Sequence, residues 1–386
     1  MGSKLVKSLL VAAFSLFALL NTVVVNAQHE EPKTEETGDK PHAEAKFNPG
    51  KIIMEHISDS HDFHFFDYGG KPYALPLPVI IYTPAKGLNV FMSSKLDHGH
   101  TAYNGYQLVN EHYLQTLKEK GIDIKGISEG KIIAVDADGK PDAAIKVYDF
   151  SMTRNVVQMI FALILLVVIM TRVAKKYKVN GIKKAPSGFQ NAVEPVITFI
   201  RDEVGKPNLG HKYESFMPLL LTIFFFILIN NIIGLIPGTA NVTGNIAFTA
   251  VLAIVSFVVM MLKTNRHFWS HIFWPKVPHA IKFILVPVEF LGIFTKPFAL
   301  MIRLFANMVA GHIVITCFIM LIFIFAGMSK VAGIGFAPLS ILFTVFIYFI
   351  EILVVFIQAF IFTNLTAVFI GQSMEGDHGH EEVKHA

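Results

Sequence analysis

Several residue types are scarce in this chain of 386 residues. It has one cysteine, Cys317, and charged residues make up only 16% of the sequence. A single cysteine excludes a disulfide framework within the chain. No G-x-x-x-x-G-K-[ST] string occurs, which excludes a phosphate-cradling loop of that type. The formal net charge of +4 is small and comes without a basic, aromatic-rich surface pattern, which argues against nucleic acid as a partner.

Apolar sequence, by contrast, is abundant. Hydrophobic residues make up 53% of the chain and the mean hydropathy is +0.52, too apolar for an ordinary soluble domain. We predict an all-α polytopic membrane protein with five membrane helices, two of which form a long tilted hairpin. An amphipathic interfacial helix and a small, mostly β, exported N-terminal domain complete the predicted fold. The predicted segments are a signal peptide (1–27), a disordered tether (28–46), the exported domain (47–150), the membrane core (151–371) and a cytoplasmic tail (372–386).

The N-terminus has the order of a secretory signal. Lys4 and Lys7 precede an apolar run over residues 9–25, and Ala27 supplies a small residue before Gln28. This order predicts cleavage between Ala27 and Gln28 and export of the residues that follow. Because the run is close to spanning length, an uncleaved anchor is the alternative, and it would export the same residues.

The exported residues have two compositions. Residues 28–46 hold almost no large apolar side chain, which is typical of a disordered tether. Over residues 47–149, short apolar runs alternate with Gly and Pro, which predicts strands and turns, with a helical piece near 106–120. The strings HDFH and DHGH raise the alternative of a zinc, copper or nickel site. Spacing alone does not make side chains converge, so we predict solvated surface histidines and no metal or cofactor. The histidines concerned are His56, His61, His64, His98, His100 and His112.

Five apolar segments are predicted to span the membrane. Between the first and second, apolar residues of 187–211 fall mostly on one helical face, which predicts the amphipathic helix. Basic residues follow the first and the third span, and both loops are therefore predicted to be cytoplasmic.

The last two spans are longer than a bilayer core of about 30 Å, so they must tilt or bend, and Pro287 and Pro297 are the predicted bends. The short glycine-rich linker AGMSKVAGIGFAP joins them. The spans are 155–171, 213–236, 246–262, 281–327 and 336–370.

Polar residues lie in a regular pattern within the fourth span. Glu289, Lys296 and Arg303 recur at seven-residue intervals and Asn307 follows one turn later, so all four share one stripe of a helix. An arginine at bilayer depth costs about 3 kcal/mol on insertion scales, so Arg303 requires an anionic partner. That partner is either a carboxylate of this chain, which would make the arginine structural, or a group on another chain.

The string TKPFALMIRLFANMVAGH, residues 295–312, resembles the signature helix of subunit a of F-type ATP synthases. Arg303 matches the essential arginine of that family and Asn307 the asparagine one turn on. His312 matches a position that is Glu in some members and His in others. The string NNIIGLIPG, residues 230–238, resembles the family's segment before a turn on the outer face. There Asn231 either orders water in the ion pathway or bonds between helices.

The fifth span carries the rest of the resemblance. LVVFIQAFIF, residues 353–362, resembles the family's final helix, whose glutamine packs beside the essential arginine. That glutamine is Gln358 here. Many members have histidine at the position of Glu351 and glutamate at the position of His312. Both are exchanged in this chain, so one acid and one imidazole remain available.

The resemblance implies a stator subunit of the F0 sector that provides two proton half-channels to the c-ring carboxylates, with Arg303 between them. Glu351 and His312 are then the relay of the outer half-channel, and Gln358 orients Arg303. The implied partners are the c-ring, b-type peripheral stalk subunits, membrane lipid and, indirectly, the F1 sector, in a bacterial inner membrane. Such a subunit has no nucleotide site and no cofactor of its own. Further pathway candidates are Asn231, Asn307 and Glu289.

Two alternatives come from other classes of protein. A secondary transporter of a small anion would use Arg303 to hold its substrate; inverted repeats would support it, and the sequence shows none. An exported metal-binding module on a membrane anchor would take up metal at residues 28–150. Neither alternative accounts for the motif around Arg303. The resemblance does not extend to residues 28–150, so it implies no function for them.

Overall fold

The structure is a computed structural model that describes most of the chain after residue 58. The predicted signal peptide, the predicted tether, His56 and residues 375–386 of the predicted tail lie outside the described residues. All of the described residues belong to one compact unit, 48–386. The described ranges are 59–68, 71–84, 86–122, 127–136, 139–142, 145–180, 188–236, 238–275 and 277–374.

Short antiparallel strands form three small sheets in the region before the membrane helices. In the largest, Val79 and Ile81 of the central strand point to one face and are fully buried, and they form one core cluster with Phe91 of a neighbouring strand. Their alternation with more exposed residues follows the period of two that a half-buried strand requires. The paired strands are β1 (Asp62–Tyr68) with β2 (Lys71–Pro76), β3 (Pro78–Thr83) with both β4 (Gly87–Met92) and β7 (Tyr148–Asp149), and β5 (Tyr106–Leu108) with β6 (Ile132–Ala134).

The helix predicted over residues 106–120 is shorter than expected. Tyr106–Leu108 is a strand, and helix α1 covers only Glu111–Glu119. Asn110 caps this helix, since its side-chain oxygen accepts a hydrogen bond from the N–H of Tyr113 at 2.8 Å. An asparagine cap fixes where a helix begins. The residues before it are therefore available to pair with β6.

The largest sheet continues almost directly into the first membrane helix, α2 (Arg154–Asn180). The N–H of Phe150 donates to the carbonyl of Ile80 at 2.8 Å. The N–H of Met152 donates to the carbonyl of Pro78 at 3.1 Å. β3 therefore holds the chain until two residues before α2 begins, and no free linker separates sheet from helix.

Helices make up most of the rest of the described chain. Among the described residues, four helical stretches are long and apolar enough to cross a membrane: Arg154–Val179, Phe189–Gly234, Ile281–Met328 and Lys330–Met374. The stretch that matches the third predicted span is apolar but has only 17 residues. A π-helical turn, Ile200–Gly205, lies within the segment 187–211 that was predicted to hold the amphipathic helix. After α2 the helices are α3 (Phe189–Phe199), α4 (Lys206–Leu209), α5 (Tyr213–Gly234), α6 (Ile246–Leu262), α7 (Arg266–Phe273), α8 (His279–Met328) and α9 (Lys330–Met374).

The glycine-rich linker between the last two spans is mostly helical, in contrast to the prediction that α9 begins near residue 336. Only Ser329, with φ −163° and ψ 136°, interrupts the helices. A Cβ atom at Gly333 would lie 2.8 Å from the Cα of Ala326, and the rings of Phe325 and Phe336 stack 3.9 Å apart. Glycine is therefore required here for the close approach of two helices and does not mark a loop.

Gln158 joins α2 to the turn after α5. Its amide nitrogen donates to the carbonyl of Ala240 at 2.6 Å, and its amide oxygen accepts from the N–H of Ala240 at 2.7 Å. Both residues are buried, at 3% and 0% exposure. The pair thus satisfies both backbone groups of Ala240 in a place that water does not reach.

Gln158→Leu is expected to lower the free energy of unfolding by about 2–4 kcal/mol, because it leaves two buried backbone groups without partners. Unfolding by sodium dodecyl sulfate in mixed micelles measures this. The matched control is Gln115→Leu on α1, whose amide is exposed and donates to Glu111 at 3.3 Å. The control should stay within about 0.5 kcal/mol of wild type. Equal effects of the two variants would contradict a structural role for Gln158.

Candidate functional site

Arg303 lies on the exposed face of α8. Its neighbours Leu300 and Leu304 belong to the core of the membrane helices, where they are 2% and 1% exposed. Within the part of the chain that the structure describes, no carboxylate forms a salt bridge with Arg303. A guanidinium at membrane depth requires an anion. The geometry therefore favours an anion on a neighbouring chain over an ion pair inside this one.

The helical hairpin places Gln358 of α9 at the same level as Arg303. Both residues fall between two contacts that fix the register of the hairpin. Gln358 is only 6% exposed, and no hydrogen bond joins its amide to the guanidinium. The two contacts are Met308 with Val355, in one buried cluster, and the Lys296 ammonium with the centre of the Phe369 ring, at 5.2 Å.

Glu351 is buried where α8 and α9 cross, with 5% of its surface exposed. Its carboxylate packs so closely on the backbone of Gly311 that a Cβ atom at this position would overlap it. The Oε1 atom of Glu351 makes no hydrogen bond to any described residue. His312 follows Gly311 on α8 and is half-buried. The acid and the imidazole of the predicted relay thus lie at the same crossing of two facing helices.

Polar side chains gather between the end of α5 and α8. Asn231, Asn241 and Thr243 form this group, which we name the Asn231 cluster. The hydroxyl of Thr243 donates to the amide oxygen of Asn231 at 2.6 Å, and these two side chains are 1% and 0% exposed. The Asn241 amide lies 3.5 Å from the carbonyl of Met308, the long limit of a hydrogen bond. The cluster therefore contacts α8 on the C-terminal side of Arg303.

A second polar group lies near the C-terminal end of α9. The Lys296 ammonium donates to the side-chain oxygen of Gln372 at 2.9 Å, and the Asn208 amide donates to the side-chain oxygen of Asn364 at 2.8 Å. We name these four residues the Lys296 cluster. Asn208 and Gln372 also line a cavity of about 310 Å³ that is open to the outside. The cluster therefore borders space large enough for several water molecules.

The two clusters lie on opposite sides of Arg303 along α8. Lys296 belongs to one cluster and Met308 contacts the other, and the rise of 1.5 Å per residue puts them about 18 Å apart. Glu289 is half-buried on the same helix, close enough to Lys296 to act on its charge. Asn307 is half-buried one turn after Arg303, on the predicted stripe. The structure thus keeps the four stripe residues in one unbroken helix.

Sequence reasoning missed much of both clusters. Gln158 is a lone polar residue in the apolar run VVQMIFALILL, and such a residue indicates a hydrogen bond inside the bundle. Its partner is Ala240, next to Asn241 of the Asn231 cluster. Asn208 and Asn364 gave none, because they lie far apart in the sequence and meet only through the fold. Gln372 is the first residue of the predicted cytoplasmic tail, and it lies within α9.

Two histidines of the N-terminal region form pairs with carboxylates. His61 is 6% exposed and its Nε2 donates to Asp149 at 2.9 Å, so it is not a solvated surface side chain as predicted. Burial raises the pKa of Asp149, but hydrogen bonds from His61 and Ser151 outweigh it and hold the pKa below its usual range. His98 pairs with Asp62 at 2.7 Å. No group of three or more His, Cys, Asp or Glu side chains within the described ranges could hold a metal ion.

Comparison with known proteins identifies the membrane part. The family model of the ATP synthase A chain matches residues 156–371, more than half of the chain. The chain belongs to the ATP synthase subunit a family. This membership decides between subunit a and the anion transporter in favour of subunit a. It places the chain in a bacterial membrane, where the F-type ATP synthase couples proton transport to ATP synthesis.

Individual subunit a proteins agree with the family match. Subunit a of Chloroherpeton thalassium is 48% identical over 252 residues, which cover 64% of this chain and 74% of that protein. Subunit a 2 of Chlorobaculum tepidum is 41% identical, with 62% and 68% covered. Subunit a of Chlorobium phaeobacteroides strain DSM 266 is 42% identical, with 63% and 71% covered. Residues 52–150 match a separate family, a domain of unknown function named DUF8433.

Proposed function

We propose that this subunit a provides two proton half-channels to the c-ring and that Arg303 separates them. The observation that carries the proposal is the position of Arg303, exposed on α8 between the Asn231 cluster and the Lys296 cluster. A fixed positive charge between two hydrated regions blocks direct passage of protons from one to the other. Arginine suits this role because it does not lose its proton in proteins.

The outer half-channel is proposed to run along the Asn231 cluster to Glu351 and His312. A carboxylate and an imidazole can each accept and release a proton, and hydrogen-bonding amides can order water between them. The burial of Glu351 against Gly311 supports this assignment, since a buried acid in a membrane is a functional candidate by default. Gln358 is proposed to orient Arg303 when the c-ring is bound.

The inner half-channel is proposed to start at the cavity beside the Lys296 cluster, with Glu289 and Asn307 as further pathway residues. Arg303 would then act on each c-ring carboxylate as it arrives. A carboxylate in lipid prefers to be neutral, whereas a neighbouring guanidinium favours its charged form. Arg303 therefore drives release of the proton that the ring carries.

The proposal includes the orientation and the partners of the chain. We infer from the basic residues after α2 and α6, through the positive-inside rule, that these loops lie in the cytoplasm, with residues 28–150 outside and the C-terminus inside. The partners are the c-ring, b-type peripheral stalk subunits and, through them, the F1 sector. A proton crossing about 100 mV releases roughly 2.3 kcal/mol, so several crossings drive each ATP synthesis in F1.

The complex reconstituted into liposomes tests the transported ion. A proton gradient imposed by an acid–base jump is expected to drive ATP synthesis, and a protonophore is expected to abolish synthesis by removing that gradient. A sodium gradient alone should drive none. Synthesis driven by a sodium gradient in the presence of the protonophore would overturn the proposal for protons. Liposomes in which the complex lacks this chain are the control.

A further inference from the structure

A cleft of about 410 Å³ lies between the end of α2 and the first turn of α3. None of its lining residues belongs to either polar cluster, and the proposed proton pathway does not use it. Its lining comes from one face of α2, at the spacing expected of a helix, and from the first two residues of α3. The lining residues are Leu165, Val168, Ile169, Arg172, Val173, Lys176, Phe189 and Gln190.

The cleft joins an apolar floor to a cationic rim. Five of its lining side chains are aliphatic or aromatic, whereas Arg172 and Lys176 stand one helical turn apart at one end. None of the described residues that line the cleft is a carboxylate. Both cations are exposed, and neither takes part in a salt bridge with any residue that the structure describes. Among the described residues, the two cations of the rim therefore have no ion-pair partner.

The beginning of α3 adds to this positive potential. Gly188 precedes the helix with φ 62°, and no side chain caps the first turn. The free N–H groups and the dipole of a helix N-terminus favour an anion. Gln190 lines the cleft and is 4% exposed, and its side-chain oxygen makes no hydrogen bond to any described residue. A buried amide oxygen in this state can accept a hydrogen bond from a ligand hydroxyl.

The depth of the rim matches that of lipid headgroups. Arg154 begins α2, and at 1.5 Å per residue Arg172 lies about 27 Å further along the helix. A bilayer hydrocarbon core is about 30 Å thick, so a helix that starts at one headgroup layer brings Arg172 and Lys176 to the other. The apolar floor, made by Leu165, Val168 and Ile169, extends from the rim toward the hydrocarbon.

We propose that this cleft binds one anionic glycerophospholipid with a hydroxylated headgroup, such as phosphatidylglycerol. Its phosphate contacts Arg172, Lys176 and the start of α3, a headgroup hydroxyl donates to Gln190, and the upper part of an acyl chain lies on the apolar floor. Basic pockets between membrane helices, at the cytoplasmic surface of the membrane, bind anionic lipid headgroups in this way. A zwitterionic lipid fits poorly, because its ammonium would face two cations and no carboxylate.

Native mass spectrometry of the purified complex, titrated with phosphatidylglycerol or phosphatidylcholine, tests the proposal. The double variant Arg172→Gln/Lys176→Gln is expected to weaken phosphatidylglycerol binding about 30-fold, since each basic residue near the surface contributes roughly a factor of five. The matched control is Lys175→Gln/Lys178→Gln. It removes the same charge from the same helix, but from exposed side chains outside the cleft, and is expected to change binding less than about threefold.

A second variant leaves the charges intact. Val168→Trp fills the apolar floor and is expected to remove bound phosphatidylglycerol, which keeps the test informative if the charge variant does not assemble. An added arm with inorganic phosphate alone distinguishes a lipid site from a phosphate site. Three results would each overturn the proposal: equal binding of phosphatidylcholine, displacement of the lipid by millimolar phosphate, or equal loss in the charge variant and its control.

Discussion

Arg303→Ala is expected to lower ATP synthesis by the assembled complex by about 100-fold or more. Without the guanidinium, a c-ring carboxylate that enters this interface stays protonated, because burial disfavours its charged form and no cation offsets that cost. A loss of about 3 kcal/mol of electrostatic stabilisation corresponds to a factor above 100. The measurement is ATP synthesis in membrane vesicles, with passive proton flux recorded after F1 is removed.

The passive flux separates a barrier from a mere structural contact. If Arg303 separates two half-channels, its removal leaves passive flux unchanged or raises it while synthesis is lost. Arg266→Ala, at the start of α7, is the control, since it removes another exposed arginine and should retain coupling. Complex assembly is checked by size-exclusion chromatography of each variant. Survival of coupled synthesis in an assembled Arg303→Ala complex would reduce the arginine to a structural role.

Gly311→Ala is expected to lower ATP synthesis at least about tenfold, because the added methyl group would occupy the position of the Glu351 carboxylate. Alanine normally stabilises a helix interior by about 1 kcal/mol relative to glycine. A loss of activity would therefore come from the displaced acid and not from a weaker helix. The rate of ATP synthesis in vesicles and the assembly of the complex are measured together.

Two other glycines of α8 provide matched controls. A Cβ atom at Gly292 or Gly327 would meet nothing within 4 Å, so alanine at either position should leave synthesis within about twofold of wild type. Glu351→Asp shortens the acid by one methylene group and is expected to restore part of the activity of Gly311→Ala. If the double variant is no better than Gly311→Ala alone, the glycine does not act by making room for this carboxylate.

The membrane helices were largely predictable, because the length and apolarity of a segment determine whether it can span a bilayer. The predicted span 246–262 has the bounds of α6, and the predicted segment 281–327 falls within α8. The prediction of a loop between the last two spans was wrong, because glycine occurs both in flexible loops and at close contacts between helices. Only the packing of Gly333 on Ala326 distinguishes the two cases. The early start of α9 could not be read from composition.

The candidate site was predictable only in part. The cost of a charge in lipid singles out Arg303 from the sequence alone. The packing of Glu351 on Gly311 was not predictable, because it depends on the register between α8 and α9. That register is set by contacts such as Met308 with Val355, which leave no trace in local sequence. The proton-relay and gating roles of these side chains remain predictions that the variants above test.

The direct passage from β3 and β7 into α2 has a consequence for how the protein can be divided. The composition changes near residue 150, yet the backbone bonds of Phe150 and Met152 cross that point. A truncation there would leave the carbonyls of Ile80 and Pro78 without these partners and would remove the contacts that hold the N-terminal end of α2. The sheet of β3 and β7 is therefore rigidly attached to α2. A label on that sheet would report the orientation of the membrane helices, because it cannot rotate independently of them.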